Sequence, residues 1–296
     1  IVVSSFGGPG SLRLADIAEP TPGPGEVRVR IAARAINPID IFLRSGALRD
    51  AVPERPFYVP GFDFAGTVAA VGPGVAGLDA GSPVIGISPW FTTQAGSYAE
   101  EIVVPADAVA LAPASADAVA AATLPLNGVT AWLAVDAAQA APGATLVVTG
   151  AAGGVGGFAV QLASARGASV IGIAAPGDAD LLGDLGASAL VSRDADLASE
   201  LARIAPQGVD ALIDAASLGR IDLVRDGGRF VSVLAPAAPA PERDVTVETV
   251  QHTPDGALLA RLAASVDSGE LTLRVARALP LDQAPRGHEL FETGGV

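Results

Sequence analysis

The fold of this chain is decided by one stretch, LVVTGAAGGVGG at residues 146–157, in which a β-branched strand runs into a turn of small residues. A helix-like sequence begins directly afterwards, at Phe158. Glycines permit a tight turn and let the backbone approach a pyrophosphate, while the first turn of the helix offers N–H groups to the phosphates. No Gly-Lys-Ser/Thr follows, which excludes a kinase-type phosphate loop. The stretch predicts a dinucleotide site formed by Gly150, Ala151, Ala152, Gly153, Gly154 and Val155.

Strands and helices alternate along the chain after this turn. The hydrophobic pattern predicts strands at Thr145–Thr149, Ser169–Ala174, Ala189–Ser192, Val209–Asp214, Arg229–Leu234 and Val245–Val250. Helices are predicted at 155–167, 178–186, 195–204 and 217–226, and the chain ends with a helix at 255–268, a strand at Thr272–Leu279 and a helix at Asp282–Thr293. This alternation implies a parallel, doubly wound sheet, which is the context that supports a dinucleotide turn.

The chain before this region is rich in β-branched residues separated by Gly-Pro turns. Short strands are predicted at Val27–Ile31, Gly66–Val71, Pro83–Ile87 and Ala99–Val104. Strands at this spacing suggest a compact barrel or folded sheet. Helices at Ala118–Leu124 and Gly128–Ala141 lead into the alternating region. The change of pattern divides the chain into a first domain at 1–117 and a second at 118–269.

The composition excludes several classes of function. The chain has 296 residues and a formal net charge of −14, so no basic surface for nucleic acid or an anionic membrane is expected. It contains no Cys and no Lys, which removes disulfides, thiolate nucleophiles and Cys-ligated zinc. The two histidines, His252 and His288, are far apart in sequence, and no metal site is expected. With neither a membrane-length apolar run nor a signal-peptide pattern, we expect a cytoplasmic protein.

Five motifs resemble those of one family. The segment TGAAGGVG at 149–156 is similar to the signature of the zinc-independent quinone oxidoreductase branch of the medium-chain dehydrogenase/reductase superfamily. The other matches occur in the family's order and are NPID at 37–40, PGFDFAGTV at 60–68, LNGVTAW at 126–132 and DGGRFV at 226–231. Together they cover nearly the whole chain.

The resemblance implies a fold and an activity. The fold class is α/β, with a GroES-like β-barrel that holds the substrate and a Rossmann doubly wound sheet that binds NAD(P)H. The barrel would be completed by the segment 270–296, and the active site would lie in a cleft between the domains. Zinc-dependent relatives carry Cys or His near Pro38 and Phe62, where this chain has neither. The implied reaction is metal-free, NADPH-dependent hydride transfer to a quinone or an activated carbon–carbon double bond.

The resemblance also assigns roles to single residues. Asn37 resembles the family's Asn that faces the nicotinamide ribose and the substrate, and Thr130 resembles a Thr beside the nicotinamide. Asp40 orients local backbone in this interpretation. Tyr58 and Tyr98 are the only tyrosines, and Tyr58 is the favoured proton donor. An apolar substrate pocket is expected from Phe42, Phe64, Trp90 and Phe91, although core packing explains Phe42 and Phe64 equally well.

The end of the second strand bears on the choice of cofactor. Rossmann domains that select NADH usually place a carboxylate there, where it binds the ribose 2′-OH. This strand ends at Ala174 without an acid, although Asp178 is close enough to fold back. Arg193, after the third strand, is the candidate partner of a 2′-phosphate, and Leu234 completes the predicted cofactor-binding residues. We therefore predict NADPH over NADH.

Two other functions and one assembly remain open. The same fold can carry an enoyl reductase for a polyketide or acyl thioester, or a non-catalytic NADPH-binding redox sensor. Assays with quinones, enones and enoyl thioesters would separate these alternatives. The expected partner is a small, apolar, electron-poor substrate. The β-rich segment Val245–Val250 suggests a homodimer, because the family commonly pairs edge strands of its cofactor domain.

Overall fold

We describe a computed structural model of the chain that covers residues 1–294. Its contacts divide the chain into two units. The first unit comprises Ile1–Leu126, Thr253–Asp267 and the chain from Leu273 onward, and the second comprises Asn127–His252 and Ser268–Thr272. Residues 118–126 thus group with the first unit rather than with the alternating region. The last two positions of the predicted completing segment, 270–296, lie outside the described residues.

The first unit is built on an antiparallel sheet of five strands in the order β6-β3-β4-β5-β7, with β1 and β2 forming a separate antiparallel pair. The strands are β1 (Val2–Val3), β2 (Leu12–Arg13), β3 (Glu26–Ala33), β4 (Asp63–Val71), β5 (Pro83–Ile87), β6 (Glu101–Pro105) and β7 (Val109–Leu111). In β3, Val27, Val29 and Ile31 alternate with polar residues and are buried in the core of this sheet. Such alternation is typical of a strand with one buried face.

Three helices accompany this sheet: α1 (Pro38–Ser45), α2 (Trp90–Thr93) and α3 (Ala118–Ala121). The sequence patterns above did not predict α1. Its start is nevertheless encoded locally, because Asn37 is the N-cap, Pro38 occupies the first turn and Asp40 accepts a hydrogen bond from the Asn37 backbone N–H. The Asp40 carboxylate thereby supplies one half of a capping box, while the Asn37 side chain makes no cap hydrogen bond.

The second unit is built on a six-stranded parallel sheet, which confirms the predicted doubly wound architecture. Its strands are β8 (Thr145–Thr149), β9 (Ser169–Ala174), β10 (Ala189–Ser192), β11 (Val209–Asp214), β12 (Val224–Ser232) and β13 (Thr246–Thr249). The spatial order is β10-β9-β8-β11-β12-β13. The strand order reverses at β8, and in open parallel sheets this switch point is where ligands bind beyond the carboxyl ends of the strands.

The helices of this unit are α4 (Pro125–Ala137), α5 (Gly154–Ala165), α6 (Ala179–Asp184) and α7 (Leu197–Ile204). The prediction of a helix at 217–226 is wrong. The carboxylate of Asp214 accepts the backbone N–H groups of Leu218 (3.0 Å) and Gly219 (2.8 Å), which holds this segment as a loop. Only a short 3₁₀ turn, Ile221–Leu223, forms before β12 begins at Val224.

The chain then returns to the first unit with α8 (Gly256–Asp267) and α9 (Ala284–Thr293), two helices that the sequence predicts. The predicted division at 118–269 placed α8 in the second domain, whereas its contacts group it with the first unit. The predicted strand at Thr272–Leu279 is wrong, because these residues form no regular element. The backbone N–H of Thr272 donates to Gln161 Oε1 over 2.7 Å. A side chain on α5, rather than a neighbouring strand, therefore satisfies the backbone at the start of this segment.

Candidate active site

The Gly-rich stretch forms a tight turn between β8 and α5. Gly150 has a φ of +59°, in the left-handed region, and its carbonyl accepts the N–H of Gly153 over 2.9 Å. Gly156 packs against this carbonyl so closely that a Cβ there would lie 2.1 Å from the oxygen. Ala151 is fully buried and donates its N–H to the Ile173 carbonyl of β9. Glycine at 150 and 156 therefore shapes the turn itself.

The outer face of the same turn is open. Gly153 and Gly154 are exposed, and a Cβ on Gly153 would meet only the Gly150 carbonyl oxygen, at 3.1 Å. Gly153 has a φ of −77°, a conformation that any residue adopts, so the fold does not demand glycine there. A Cβ on Gly154 would lie 2.8 Å from Oδ1 of Asn127, a side chain that was not among the predicted residues although it lies in the 126–132 motif. The open space fits a pyrophosphate against the N-terminus of α5.

The predicted cofactor-binding residues that follow strands lie along one edge of the sheet. Ser192 is paired in register with Ala174, and Asp214 with Thr149. Arg193 follows β10 directly, and its backbone N–H donates to the Ala174 carbonyl over 2.8 Å. Leu234, half-buried two residues after β12, follows the same edge, since Ser232 pairs in register with Asp214. Thr130 lies elsewhere in this unit, buried in α4.

Two buried polar side chains hold the turn in place, Thr149 at the end of β8 and Asp214 at the end of the neighbouring β11. Neither was predicted as a site residue. Thr149 Oγ1 donates to Asp214 Oδ1 over 2.6 Å and accepts the backbone N–H of Ala216 over 2.9 Å. A Cβ on Gly150 would lie 3.3 Å from the Ala216 Cβ. The loop after β11 thus packs against the Gly-rich turn. The sequence feature that could have predicted this pair is a polar residue at the end of each of two apolar strands, Thr149 in β8 and Asp214 in β11.

A carboxylate and a guanidinium lie just beyond the carboxyl ends of two paired strands: Asp178 after β9 and Arg193 after β10. Asp178 Oδ2 accepts the backbone N–H of Ala175 over 3.1 Å, so Asp178 does fold back to the end of β9. The side chain of Arg193 is exposed, and within residues 1–294 it forms no ion pair with Asp194 or Asp196. An acceptor for a ribose hydroxyl and a donor for a phosphate are therefore both present there.

The first unit contains a separate, buried polar cluster around Asn37. The backbone N–H of Asn37 donates to Asp40 Oδ2 (2.8 Å), and its side-chain Nδ2 donates to Asp63 Oδ2 (3.2 Å). The second oxygen of Asp40 accepts the N–H of Gly61 (3.0 Å), and that of Asp63 accepts the N–H of Ala35 (3.2 Å). Asn37 is 2% exposed and both carboxylates are fully buried. Two motifs of the sequence, NPID and PGFDFAGTV, are joined by these carboxylates.

Burial raises the pKa of both carboxyl groups. Desolvation, together with the nearby charge of Asp63, raises the pKa of Asp40 to about 8, although hydrogen bonds from Asn37 and Gly61 oppose the shift. Desolvation likewise raises the pKa of Asp63 to about 6, opposed by the side-chain hydrogen bond from Asn37. Burial disfavours the charged form because water is replaced by a less polarisable surrounding. At neutral pH the cluster therefore holds one ionised carboxylate, Asp63, beside a protonated one.

The two tyrosines occupy different surroundings. The Tyr58 hydroxyl donates to the Pro53 carbonyl over 2.8 Å, and its ring stacks on Phe6. The Tyr98 hydroxyl is buried 3.0 Å from His288 Nε2. Burial and the charges of Asp40 and Asp63 raise the pKa of Tyr98 well above its usual value. The role of Tyr58 as proton donor remains a prediction, and its hydroxyl is already engaged with backbone.

The four predicted pocket residues do not share one surface. Phe64 is fully buried in the core of the five-stranded sheet. Trp90 is 1% exposed, packs on Phe62 and donates its indole N–H to a backbone carbonyl, so it is a core residue. Phe91 is 48% exposed and rests against Phe62 and Trp90, while Phe42 is half-buried in α1. Of the four, Phe91 presents the most surface to a ligand.

Residues 1–294 contain neither a helix that could span a membrane nor a cluster of metal-ligating side chains. No helix is both long enough and apolar enough to cross a membrane. No three side chains of His, Cys, Asp or Glu are grouped as a metal ion would need.

Comparison with known proteins identifies the family. Residues 23–114 match the family described as "Alcohol dehydrogenase GroES-like domain", and residues 185–296 match the family described as "Zinc-binding dehydrogenase". A quinone oxidoreductase of Sus scrofa is 30% identical over 311 residues, covering 98% of this chain and 92% of that protein. The chain belongs to the quinone oxidoreductase branch of the medium-chain dehydrogenase/reductase superfamily. This membership confirms the resemblance that the five motifs carried.

Other relatives match over different lengths. The human synaptic vesicle membrane protein VAT-1 homolog is 34% identical over 72% of this chain and 54% of its own length, so this chain spans about half of that relative. The 2-methylene-furan-3-one reductase of Solanum lycopersicum is 32% identical over 86% of this chain and 65% of its own. A mycocerosic acid synthase-like polyketide synthase of Mycobacterium tuberculosis is 33% identical over 76% of this chain and 11% of its own.

Solved structures of the superfamily share the fold. The quinone oxidoreductase of Coxiella burnetii superposes with a TM-score of 0.88 at 28% identity, covering 100% of this chain and 95% of its own. A mycobacterial protein complexed with NADPH superposes with a TM-score of 0.83 at 29% identity, covering 98% and 94%. Both likenesses confirm the α/β class with a GroES-like part and a Rossmann-type sheet.

Proposed function

We propose that this protein is an NADPH-dependent oxidoreductase that reduces a quinone or an activated carbon–carbon double bond without a catalytic metal. The observation that carries the proposal is the open outer face of the Gly-rich turn, in a chain whose near full-length relative is a quinone oxidoreductase. The nicotinamide supplies the hydride when it is bound. The protein supplies position and a surrounding with little water.

The second unit contributes the cofactor site. Gly153 leaves space for the pyrophosphate, and the first turn of α5 offers N–H groups that have no partner inside the helix. Thr149 and Asp214 hold the turn in place from β8 and β11. The mycobacterial structural neighbour that is complexed with NADPH supports a nicotinamide cofactor for this fold.

NADPH is the proposed cofactor because Arg193 stands unpaired with its neighbouring acids, beside the end of β9. A guanidinium binds phosphate oxygens with a fork of donors. Asp178 is the competing feature, since its carboxylate also reaches the end of β9. One of its oxygens accepts the backbone N–H of Ala175. This hydrogen bond gives Asp178 a structural role, so its presence does not require that it bind a ribose.

The first unit contributes the polar group of the substrate site. Asn37 is held by two carboxylates and keeps a small exposed part, which suits a residue that touches a ligand from a rigid position. The chain carries no Cys, and Pro38 and Phe62 stand where zinc-dependent relatives carry ligands. Substrate polarisation is therefore assigned to hydrogen bonds from the protein rather than to a Lewis acid.

The decisive test is a panel of acceptors. The purified protein is mixed with NADPH or NADH and with a quinone, an alkenal, a cyclic enone or an enoyl thioester, and loss of the reduced nicotinamide absorbance is followed. We expect NADPH-dependent reduction of quinones or enones. Tight NADPH binding with no oxidation on any acceptor would contradict the proposed reaction and favour a non-catalytic sensor.

A second candidate is an enoyl reductase for acyl thioesters. The observation that favours it is the match to part of a polyketide synthase, at 33% identity over 236 residues. Faster turnover of an enoyl thioester than of any quinone in the same panel would support this candidate.

A further inference from the structure

Two buried carboxylates hold Asn37 from two sides, but they hold different parts of it. Asp40 accepts from the backbone N–H, whereas Asp63 accepts from the side-chain Nδ2. An ionised carboxylate is only an acceptor, and an amide has one donating and one accepting end. Asp63 therefore selects the Nδ2 end of the amide and leaves the carbonyl Oδ1 directed away from itself.

We propose that Asp63 is a positioning residue for Asn37, fixing its side-chain amide so that the carbonyl oxygen is presented to a hydroxyl group of the bound cofactor or substrate. The inference rests on the function proposed above, in which Asn37 contacts the ligand. Asp63 is fully buried, so it acts through Asn37 and touches no ligand itself.

The second oxygen of Asp63 makes this role specific to a carboxylate. It accepts the backbone N–H of Ala35 over 3.2 Å, so one side chain at the start of β4 fixes both the backbone before α1 and the amide at its N-cap. In an Asn at position 63 an NH₂ donor replaces one of the two carboxylate oxygens, so one of these two donors would face another donor. The N–H group concerned would remain unpaired in the protein interior, which is costly.

The charge state of Asp63 depends on the ionisable groups around it. Among the described residues, Asp63 interacts with Asp40 and Tyr98, and the next ionisable groups beyond these two are Arg34, His288, Arg44, Glu292 and the amino group of Ile1. Burial holds the pKa of Asp63 at about 6, against about 8 for Asp40. At neutral pH Asp63 is thus the ionised member and selects the amide end; in mild acid its protonated form both donates and accepts, and the selection is lost.

The first experiment reads the amide directly, without ligand. The side-chain NH₂ signals of Asn37 are identified in a ¹H–¹⁵N spectrum by their absence from the Asn37→Ala variant. In the unmodified protein we expect these signals to move with a midpoint near pH 6, and in Asp63→Asn we expect this movement to be absent. The same titration in both proteins would overturn the proposal, because the amide would then report a group other than Asp63.

The second experiment is a double-mutant cycle with Asp63→Asn, Asn37→Ala and the double variant. It is read on the dissociation constant of NADPH and on kcat/KM. Each single substitution should raise the dissociation constant of NADPH or lower kcat/KM by about tenfold. The double variant should show the same values as Asn37→Ala alone. Losses that multiply would show that Asp63 acts on the fold independently of Asn37, which overturns the proposal.

Asp267→Asn controls for the loss of a carboxylate that accepts backbone N–H groups, at an exposed position of the first unit. Asp267 also accepts two backbone N–H groups in the first unit, from Ala114 (3.2 Å) and Ser115 (2.9 Å), but makes no bond to Asn37. It should change NADPH binding and kcat/KM by less than about twofold. A loss as large as that of Asp63→Asn would show that removing any such carboxylate has this effect, and the positioning role would fall.

The two proposals fail in distinguishable ways. Binding of NADPH without reduction of any acceptor sinks the proposed reaction, while the cycle is still read on binding. Normal binding and turnover by Asn37→Ala sinks the positioning role, while the reaction stands. If no nicotinamide cofactor binds, the spectroscopic titration alone decides whether Asp63 controls the amide.

Discussion

Two glycines of the Gly-rich turn can be replaced by alanine to separate effects on stability from effects on cofactor binding. Gly153→Ala adds a methyl group on the open face, 3.1 Å from one carbonyl oxygen at a φ of −77°. Gly156→Ala adds the same group 2.1 Å from the Gly150 carbonyl oxygen and 2.7 Å from its carbon. The two variants have identical composition, so each is the control for the other.

The distances set the expected sizes of the two effects. Gly156→Ala forces the turn backbone to move, at a cost of about 1–3 kcal/mol for overpacking, and the better helix propensity of Ala returns about 1 kcal/mol at most. The shift also strains the hydrogen bond from Ala151 to Ile173, worth about 1 kcal/mol. We therefore expect a net loss of about 1–3 kcal/mol and a Tm lower by about 2–10 °C.

Gly153→Ala should leave the unliganded protein nearly unchanged. Loss of the N-cap preference for Gly over Ala costs up to about 1 kcal/mol, and reduced freedom of the unfolded chain offsets about 0.4–1 kcal/mol. The methyl group instead occupies the space assigned to the pyrophosphate, so the dissociation constant of NADPH should rise at least about tenfold, or about 1.4 kcal/mol.

The assay is thermal unfolding by circular dichroism with and without NADPH, together with titration of nicotinamide fluorescence. At an NADPH concentration of about 100 times its dissociation constant, the unmodified protein gains about 2.7 kcal/mol, and Gly153→Ala should lose at least half of that gain. An unchanged Tm for Gly156→Ala, or unchanged NADPH affinity for Gly153→Ala, would refute the reasoning.

Four further outcomes are expected. Arg193→Ala should raise the KM for NADPH about tenfold and leave that for NADH nearly unchanged; equal use of both cofactors by the unmodified enzyme would point to Asp178 instead. Dialysis against a strong chelator should leave activity unchanged, and a large loss restored by zinc would contradict the metal-free proposal. Light scattering should report a dimer of the 29.3 kDa chain, paired through the edge strand β13, and a monomer at micromolar concentration would refute that assembly. Because the folded pKa of Asp40, about 8, lies above its value of 3.8 in an unperturbed chain, the wild-type protein loses stability as pH rises through this range, by about 6 kcal/mol in total. The Tm of Asp40→Asn minus that of the wild type should thus increase from pH 5 to pH 8, and a difference independent of pH would contradict the assigned burial effect.

The parallel sheet was the most predictable part of the molecule. β8, β9, β10 and β11 have the bounds that the sequence predicts, because strands buried on both faces are short apolar runs ended by turn residues. The errors lie where a side chain satisfies the backbone. Asp214 holds the loop that was predicted as a helix, and Gln161 binds the segment that was predicted as a strand.

The candidate site was predictable only where its parts are contiguous in sequence. The Gly-rich turn was read from one continuous stretch, and Asp40 was expected to orient nearby backbone, whereas the bond between Asn37 and Asp63 joins residues 26 positions apart. Periodicity does not reveal such a pair, because it depends on how β4 and the start of α1 meet in three dimensions. The same limit hid the bond between Tyr98 and His288, which are 190 positions apart.

The order of the segments along the chain has a consequence for synthesis. The first unit uses residues at both ends of the chain, while nearly all of the second unit is the continuous segment Asn127–His252. A ribosome delivers that continuous segment before it delivers α8 and α9, so the parallel sheet has all its strands while the antiparallel unit still lacks its last helices. Ribosome-bound chains stalled shortly after His252 leaves the exit tunnel should therefore protect the parallel sheet from protease, and protection of Tyr98 should begin only after His288 has emerged.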